Sequence, residues 1–344
     1  MHSKREINMR GNVSKSLIPL LEQVNAGLEQ AKASGAAFEP EIIRQNLENL
    51  SAYMLPGPEV SLVTDSILTL QNHQLAARIY HPEPDKQLPV LLHFHGGGHM
   101  CGSIDLYDPI SRELAIAAHA IVICLDYRLA PEHPYPCGLN DCQYLLENYP
   151  SLLNGYQYSE QLYLAGDSAG GAICTSLVMN NINNPKVNID KQILFYPSVD
   201  YTMGCQSIID NGQGFLLEAD KVRWYFQQYF NIQDANLLNT SIINTNLEVS
   251  NTAENSTVSR LLTSASPLFS EFTADMPKTL VITAGCDPLR DEGVLYAEKA
   301  KQAGASVEHY QFSELIHAYM LLSKLIPEQY KRTYEIIDKF VSKN

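Results

Sequence analysis

The chain is short of positive charge, of paired cysteines and of long apolar runs, and each shortage closes off a class of function. Only 24 Lys and Arg stand against 38 Asp and Glu, a formal charge of −14. Such a surface excludes nucleic acid and anionic membrane as partners. No apolar run approaches the roughly 20 residues that cross a bilayer, which excludes integral membrane association. Met1 to Arg10 is polar and charged, and Leu17 to Leu21 is too short for the apolar core of a signal peptide. The seven cysteines (101, 124, 137, 142, 174, 205 and 286) are odd in number and lack paired metal-ligand spacing. Several lie inside apolar runs, where a reduced thiol behaves as a small hydrophobe. The expectation is a cytoplasmic, reduced protein with no metal site.

What the chain does have is enough apolar residue for an ample core: 45% of 344 residues, with 18% charged. Residues 14–53 carry helical periodicity, with Leu17, Leu20, Leu21, Val24 and Leu28 on one face. Val60 to His81 alternates about Gln71-Asn72-His73, as an antiparallel hairpin does. Beyond it short apolar runs alternate with helical stretches. The runs are Pro89–Phe94, Ala120–Asp126, Leu162–Ala165, Gln192–Tyr196, Thr279–Ala284 and Val307–Phe312; the helical stretches fall near 107–119, 138–149, 169–181 and 292–304. That rhythm predicts an α/β fold: a parallel sheet covered by helices on both faces, with ligands at the carboxyl ends of its strands.

Two segments break the rhythm, the N-terminal helices and residues 200–265, the second holding a helix near 219–230 around Trp224, the only tryptophan. Both read as a cap over the strand ends. The expected division is 1–55 for the N-terminal cap helices, 56–200 and 264–344 for the core, and 201–263 for a cap insertion, all one continuous globular unit. Within the insertion, 231–258 holds seven asparagines; a loop that long is functional or disordered, and disorder is the plainer expectation.

Two glycine motifs close apolar runs. Gly166-Asp167-Ser168-Ala169-Gly170-Gly171 follows the run ending at Ala165. Gly-x-Ser-x-Gly alone is weak evidence: at about 7% each for Gly and Ser, roughly one chain in ten of this length holds it by chance. Its place between a strand and a helix gives it meaning, because a strained strand-to-helix turn presents the serine as a nucleophile. Small neighbours are needed there, and the N–H of Ala169 at the new helix start faces a developing anion. His95-Gly96-Gly97-Gly98 follows the run ending at Phe94. No Gly-Lys-Ser/Thr follows it, so an oxyanion loop fits better than a phosphate loop. Gly97 and Gly98 are the expected donors with Ala169, and Gly96 and His95 the support, His95 through a ring hydrogen bond.

A serine needs a base, and the base an orienting acid. Among ten histidines, His317 follows the last strand-like run by a short loop and precedes the helical stretch Ala318–Lys324; His309 is mid-strand, His119 lies in a helix and His133 in a Pro-flanked loop. Asp287 follows the strand Thr279–Ala284, with Asp291 and Glu314 as rivals; Asp291 is better placed to cap the helix beginning near Glu292. The order Ser168, Asp287, His317 is that of α/β-hydrolases.

At these residues the chain resembles the hormone-sensitive lipase family of α/β-hydrolases, the bacterial family IV esterases, over roughly 60–230 and 264–325. The resemblance rests on His95–Gly98, on Asp126-Tyr127-Arg128-Leu129-Ala130-Pro131-Glu132-His133-Pro134-Tyr135-Pro136, on Gly166–Gly171, on Asp287-Pro288-Leu289-Arg290-Asp291-Glu292-Gly293 and on His317. It implies the α/β-hydrolase fold, a mixed, mostly parallel sheet flanked by helices with a helical cap, together with the Ser168, Asp287, His317 triad, the Gly97, Gly98 and Ala169 oxyanion hole, short-to-medium acyl ester substrates and no cofactor; family members often pair as homodimers through an edge strand, and the sequence leaves the oligomeric state open. Asp126, Arg128 and Glu132 read as a brace behind the oxyanion loop. The chain departs from the family at Ala318-Tyr319, where a glycine-aromatic pair is usual, and in the length of 231–258. The expected function is a serine carboxylesterase losing activity below about pH 6.5, where a histidine base is protonated. An amidase or deacetylase uses the same residues, and a non-catalytic small-molecule receptor is the reading from another class.

Overall fold

The computed structural model describes residues 12–233 and 253–343, with side chains from residue 257 in the second stretch. The chain opens with two helices, α1 (Ile18–Ala33) and α2 (Pro40–Glu48), each with a proline in its first turn, where a missing N–H costs nothing. A 3-10 turn, Asn49–Tyr53, ends this section. An antiparallel pair follows, β1 (Leu62–Thr69) and β2 (Gln74–His81), registered with Leu62 opposite His81 and Thr69 opposite Gln74.

The alternating part then runs β3 (Leu88–Phe94), α3 (Ile104–Ala117), β4 (Ile121–Leu125), α4 (Cys137–Asn148), β5 (Tyr158–Asp167), α5 (Ala169–Asn181) and β6 (Lys191–Phe195). Next come α6 (Ser207–Asp210), α7 (Ala219–Phe230) and α8 (Ala253–Ala265), then β7 (Lys278–Cys286), α9 (Arg290–Gln302), β8 (Val307–Ile316) and α10 (Pro327–Val341). The eight strands form one sheet in the order β1-β2-β4-β3-β5-β6-β7-β8. β2 meets β1 and β4 antiparallel, and every pair from β4 to β8 is parallel. β4 and β6 are buried at every position, as strands covered on both faces must be. α5, directly behind the serine turn, has ten buried residues among its thirteen and no polar stripe.

The expected strands are all present, and so are the helices between them, with shifted ends. β5 starts at Tyr158 rather than Leu162, and β8 runs on to Ile316, directly before His317. Ala318–Lys324 forms a 3-10 turn, Tyr319–Leu322, rather than an α-helix. The C-terminal α10 was not read from the sequence although its inward positions Tyr330, Tyr334, Ile337 and Phe340 repeat at helical spacing. α8 ends at Ala265, two residues past the expected cap boundary. The expectation of disorder over 231–258 falls mostly outside the described residues; of the described ones, 231–233 follow α7, with Asn231 closing it in the left-handed region, and 253–258 are the first turns of α8.

Among the described residues, three apolar clusters hold these layers. Two lie on the faces of the sheet. The third joins the helices above the strand ends to the oxyanion loop, packing Ile43 of α2, Met100, Cys101, Tyr201, Phe226, Tyr229 and Leu262 together. Edge-on aromatic pairs such as Tyr201–Phe226, with centroids 5.0 Å apart, add about 1 kcal/mol each beyond the area they bury. Arg44 of α2 ties that layer to the core, donating to the Met100 carbonyl (2.8 Å), the Ala130 carbonyl (2.9 Å) and the Glu132 carboxylate.

Candidate active site

Strand β5 ends at Asp167 and α5 begins at Ala169, leaving Ser168 alone to make the turn. It does so at φ +52° and ψ −118°, backbone that a side-chain-bearing residue adopts under strain. The turn is possible because its neighbours are glycines: a Cβ at Gly170 would lie 1.8 Å from the Phe94 carbonyl oxygen at the end of β3. Ser168 N–H donates to Phe195 O at 2.9 Å, fixing the turn to β6.

The ends of β7 and β8 bring the other two groups. His317 Nδ1 lies 2.8 Å from Asp287 Oδ2, and His317 Nε2 lies 2.8 Å from Ser168 Oγ. With the carboxylate accepting at Nδ1–H, Nε2 is the acceptor for the serine hydroxyl. Asp287 is fully buried and its other oxygen accepts from Leu289 N–H at 2.8 Å. Asn211 donates to the carbonyls of Gly285 (3.2 Å) and Asp287 (3.1 Å), pinning the turn that carries the acid. The edge of Tyr196 packs on the imidazole, centroids 4.8 Å apart.

The glycine loop lies across the β3 end from this group. Gly96 N–H is committed to Asp167 Oδ1 at 2.7 Å. Gly97 and Gly98 have φ of +119° and +63°, and a Cβ at Gly98 would be 2.7 Å from the Tyr225 ring. Both conformation and space therefore demand glycine at 98. His95 stacks on Tyr127 at 4.5 Å, and its Nδ1 bonds the Gly96 carbonyl at 2.8 Å, while Tyr127 OH donates to His95 O at 2.7 Å. The ring hydrogen bond expected of His95 thus closes back on its own loop.

Other sequence expectations resolve differently. Arg128 pairs with buried Asp141, Glu132 with Arg44, and Asp126 is exposed, so the loop's brace is Tyr127 and Arg44 instead. Asp291 accepts from Ser207 N–H at the start of α6 rather than capping its own helix, and half-buried Glu314 accepts from Gln329 at 3.1 Å, away from His317. Glu292 and Asp167 went unread. Glu292 is buried and accepts from Val199 N–H at 2.7 Å; burial pushes its pKa well above the usual carboxylate range. Asp167 accepts from Gly96, Tyr107 (3.1 Å) and Tyr196 (3.3 Å), and burial pushes its pKa up to about 6. An acid at a buried strand end is itself a signal of such a role. Burial also pushes the pKa of His95 down to about 4 and those of His93 and His99 to about 3.

Above the site is a cavity of 560 Å³ bounded by α1, α2, the Asn49–Tyr53 turn and residues 216–221, reaching His317 and Ala318. Leu20, Val24, Leu28, Ile43, Leu47 and Leu50 make most of its wall apolar. Among the described residues no cluster of His, Cys, Asp and Glu is arranged to hold a metal ion, and no helix is long and apolar enough to cross a membrane.

A buried serine–histidine–aspartate relay at the strand ends of this sheet defines the α/β-hydrolase class of protein. The profile of the alpha/beta hydrolase fold family matches residues 91–321. Esterase LipI of Mycobacterium tuberculosis is 31% identical over 83% of each chain, and ethyl acetate hydrolase of Pseudomonas putida is 29% identical over 92% of this chain and 95% of its own. The hyperthermophilic esterase of the archaeon Pyrobaculum calidifontis superposes with a TM-score of 0.76 at 26% identity, covering 96% of this chain and 98% of that one. The chain belongs to the α/β-hydrolase fold family, in its hormone-sensitive lipase group.

Proposed function

We propose that this chain is a serine carboxylesterase acting on short-to-medium acyl esters through Ser168, His317 and Asp287. The observation that carries the reading is the relay itself, with 2.8 Å on either side of the imidazole, opening into a cavity of 560 Å³ with a mostly apolar wall. The relatives' own names, esterase and ethyl acetate hydrolase, support the same chemistry. Ser168 Oγ attacks the ester carbonyl as His317 Nε2 takes its proton, and Asp287 holds the ring and stabilises its cation. The N–H groups of Gly97, Gly98 and Ala169 receive the oxyanion, about 3–4 kcal/mol for each strong donor. His317 then protonates the leaving alcohol, and water, activated by the same histidine, cleaves the acyl-enzyme. His95 and Gly96 hold the donor loop.

The reading includes the division into N-terminal cap helices 1–55, cap insertion 201–263 and catalytic core, a cytoplasmic location, and a homodimer formed through an edge strand; β8 closes one side of the sheet. An amide leaving group fits the same relay, and comparing p-nitrophenyl butyrate with the matching p-nitroanilide separates the two. The direct test is p-nitrophenyl butyrate hydrolysis at pH 8 by the wild type and Ser168→Ala. A loss of about a thousandfold or more in the variant supports the proposal. Absence of turnover in both proteins overturns it.

A further inference from the structure

Lys221 stands apart in a chain that carries 38 acidic residues against 24 basic ones. It lines the cavity that reaches His317, and no ion pair or hydrogen bond involves its ammonium among the described residues. The other charge on that wall, Glu218, is neutralised by Lys32 of α1 at 2.9 Å. Lys221 also sits in the first turn of α7, where the helix dipole disfavours a cation. Its Nζ stands 5.7 Å from the centroid of the Tyr225 ring, and that ring covers Gly98 of the donor loop. The ammonium is therefore one aromatic ring away from the expected position of the reacting carbonyl. Burial pulls its pKa below the ordinary lysine value, and the charge of Glu218, already shared with Lys32, offsets only part of that cost.

The surroundings are suited to an anion. Gln23 and Asn46 face the same cavity with side-chain amides that bond no protein group among the described residues, and Asn49 spends its oxygen on Gln45 at 3.0 Å, which leaves its NH₂ to donate. A lone lysine with amide donors balances a single negative charge, whereas phosphate sites gather arginine forks or several N–H groups. We infer that Lys221 binds a carboxylate carried by the substrate, so that the preferred substrates are esters bearing a free carboxylate a few carbons from the scissile bond. The inference rests on the esterase reading above and narrows its substrate class. The net charge of −14 does not oppose it, since exposed charges are screened beyond about 8 Å at physiological salt.

The test compares kcat/KM for charged and neutral esters of matched length in the wild type, Lys221→Met and Lys221→Arg. Monoethyl adipate against ethyl hexanoate places the carboxylate on the acyl side, and 4-acetoxybutanoate against butyl acetate places it on the alcohol side. A charge-assisted hydrogen bond of ordinary strength amounts to about tenfold or more in affinity. The charged-to-neutral ratio is expected to fall at least fivefold in Lys221→Met for one pair, chiefly through KM, and to be largely kept in Lys221→Arg. The pair that responds identifies the side. A smaller fall in both pairs overturns the inference. A parallel arm measures calorimetric binding of monoethyl adipate to Ser168→Ala with and without Lys221→Met. That arm needs no turnover, so failure of the esterase reading and failure of this one are told apart. Equal binding to the two proteins refutes the role of Lys221.

Discussion

Acid should act on this protein through the histidines packed around its glycine loop. His93, His95 and His99 are buried and neutral: His93 bonds Ser111 at 2.9 Å, His95 stacks on Tyr127, and His99 stacks on Tyr229 at 3.8 Å. Burial holds their pKa values near 3, 4 and 3, against 6.5 in the unfolded chain. Below pH 6.5 the unfolded chain takes up protons that the folded one refuses, so stability present above that pH is lost as pH falls toward 4. At pH 4.5 each ring accounts for about 2.5 kcal/mol, about 7 together. Asp167 acts with the opposite sign. Its folded pKa of about 6 lies above the ordinary 3.8, so its contribution grows as pH falls through that window and returns about 2 kcal/mol. Buried Glu292, also held well above the ordinary carboxylate range, acts with the same sign as Asp167, so the stability difference between pH 7 and pH 4.5 is smaller than the histidines alone would make it. Guanidinium unfolding followed by far-UV circular dichroism at the two pH values measures it. His99→Phe should shrink the difference by about 2.5 kcal/mol, whatever it does to stability at pH 7. A difference in His99→Phe that matches the wild type's to within about 1 kcal/mol refutes the reasoning.

Ala318 holds φ +60° and ψ +24° beside His317, a left-handed position, so Ala318→Gly should stabilise by about 1 kcal/mol, read as a rise of a few degrees in melting temperature. Gly98→Ala puts a Cβ into the Tyr225 ring and should displace the N–H proposed to receive the oxyanion; kcat should fall about a hundredfold with far-UV circular dichroism unchanged. Asn211→Ala strips two carbonyls beside Asp287 of their donor, and chemical denaturation should show a loss of about 2 kcal/mol, accompanied by a kcat about tenfold lower.

The sheet and the three groups of the relay were legible because both rest on local chemistry. Continuous apolar runs such as Ile121–Leu125 and the glycines around Ser168 state their conformation within a few residues. The ends of elements were less legible: β8 continues through polar Ser313 and Glu314 because it pairs with β7 as far as Ile316 opposite Cys286. Hardest to read were residues whose partners are distant in the chain. Asp167 matters because Gly96 lies 71 positions away and folds onto it, and Asn211 because it reaches Asp287, 76 positions on. Arg128 and Glu132 were placed in the right neighbourhood, but their carboxylate and guanidinium partners, Asp141 and Arg44, sit on α4 and α2 and could not be inferred from the motif that contains them. Lys221 reads in sequence as one more charge on a helix; only the cavity above His317 gives it a role.

The central claim is that Ser168 is a nucleophile activated by His317, and covalent capture tests it most directly. A p-nitrophenyl alkylphosphonate should react one-to-one at pH 8, releasing one nitrophenolate per chain and leaving a phosphonyl mass on the peptide that contains Ser168. The rate should fall about a thousandfold or more in His317→Ala. An adduct on another residue, or labelling indifferent to His317, would contradict the account.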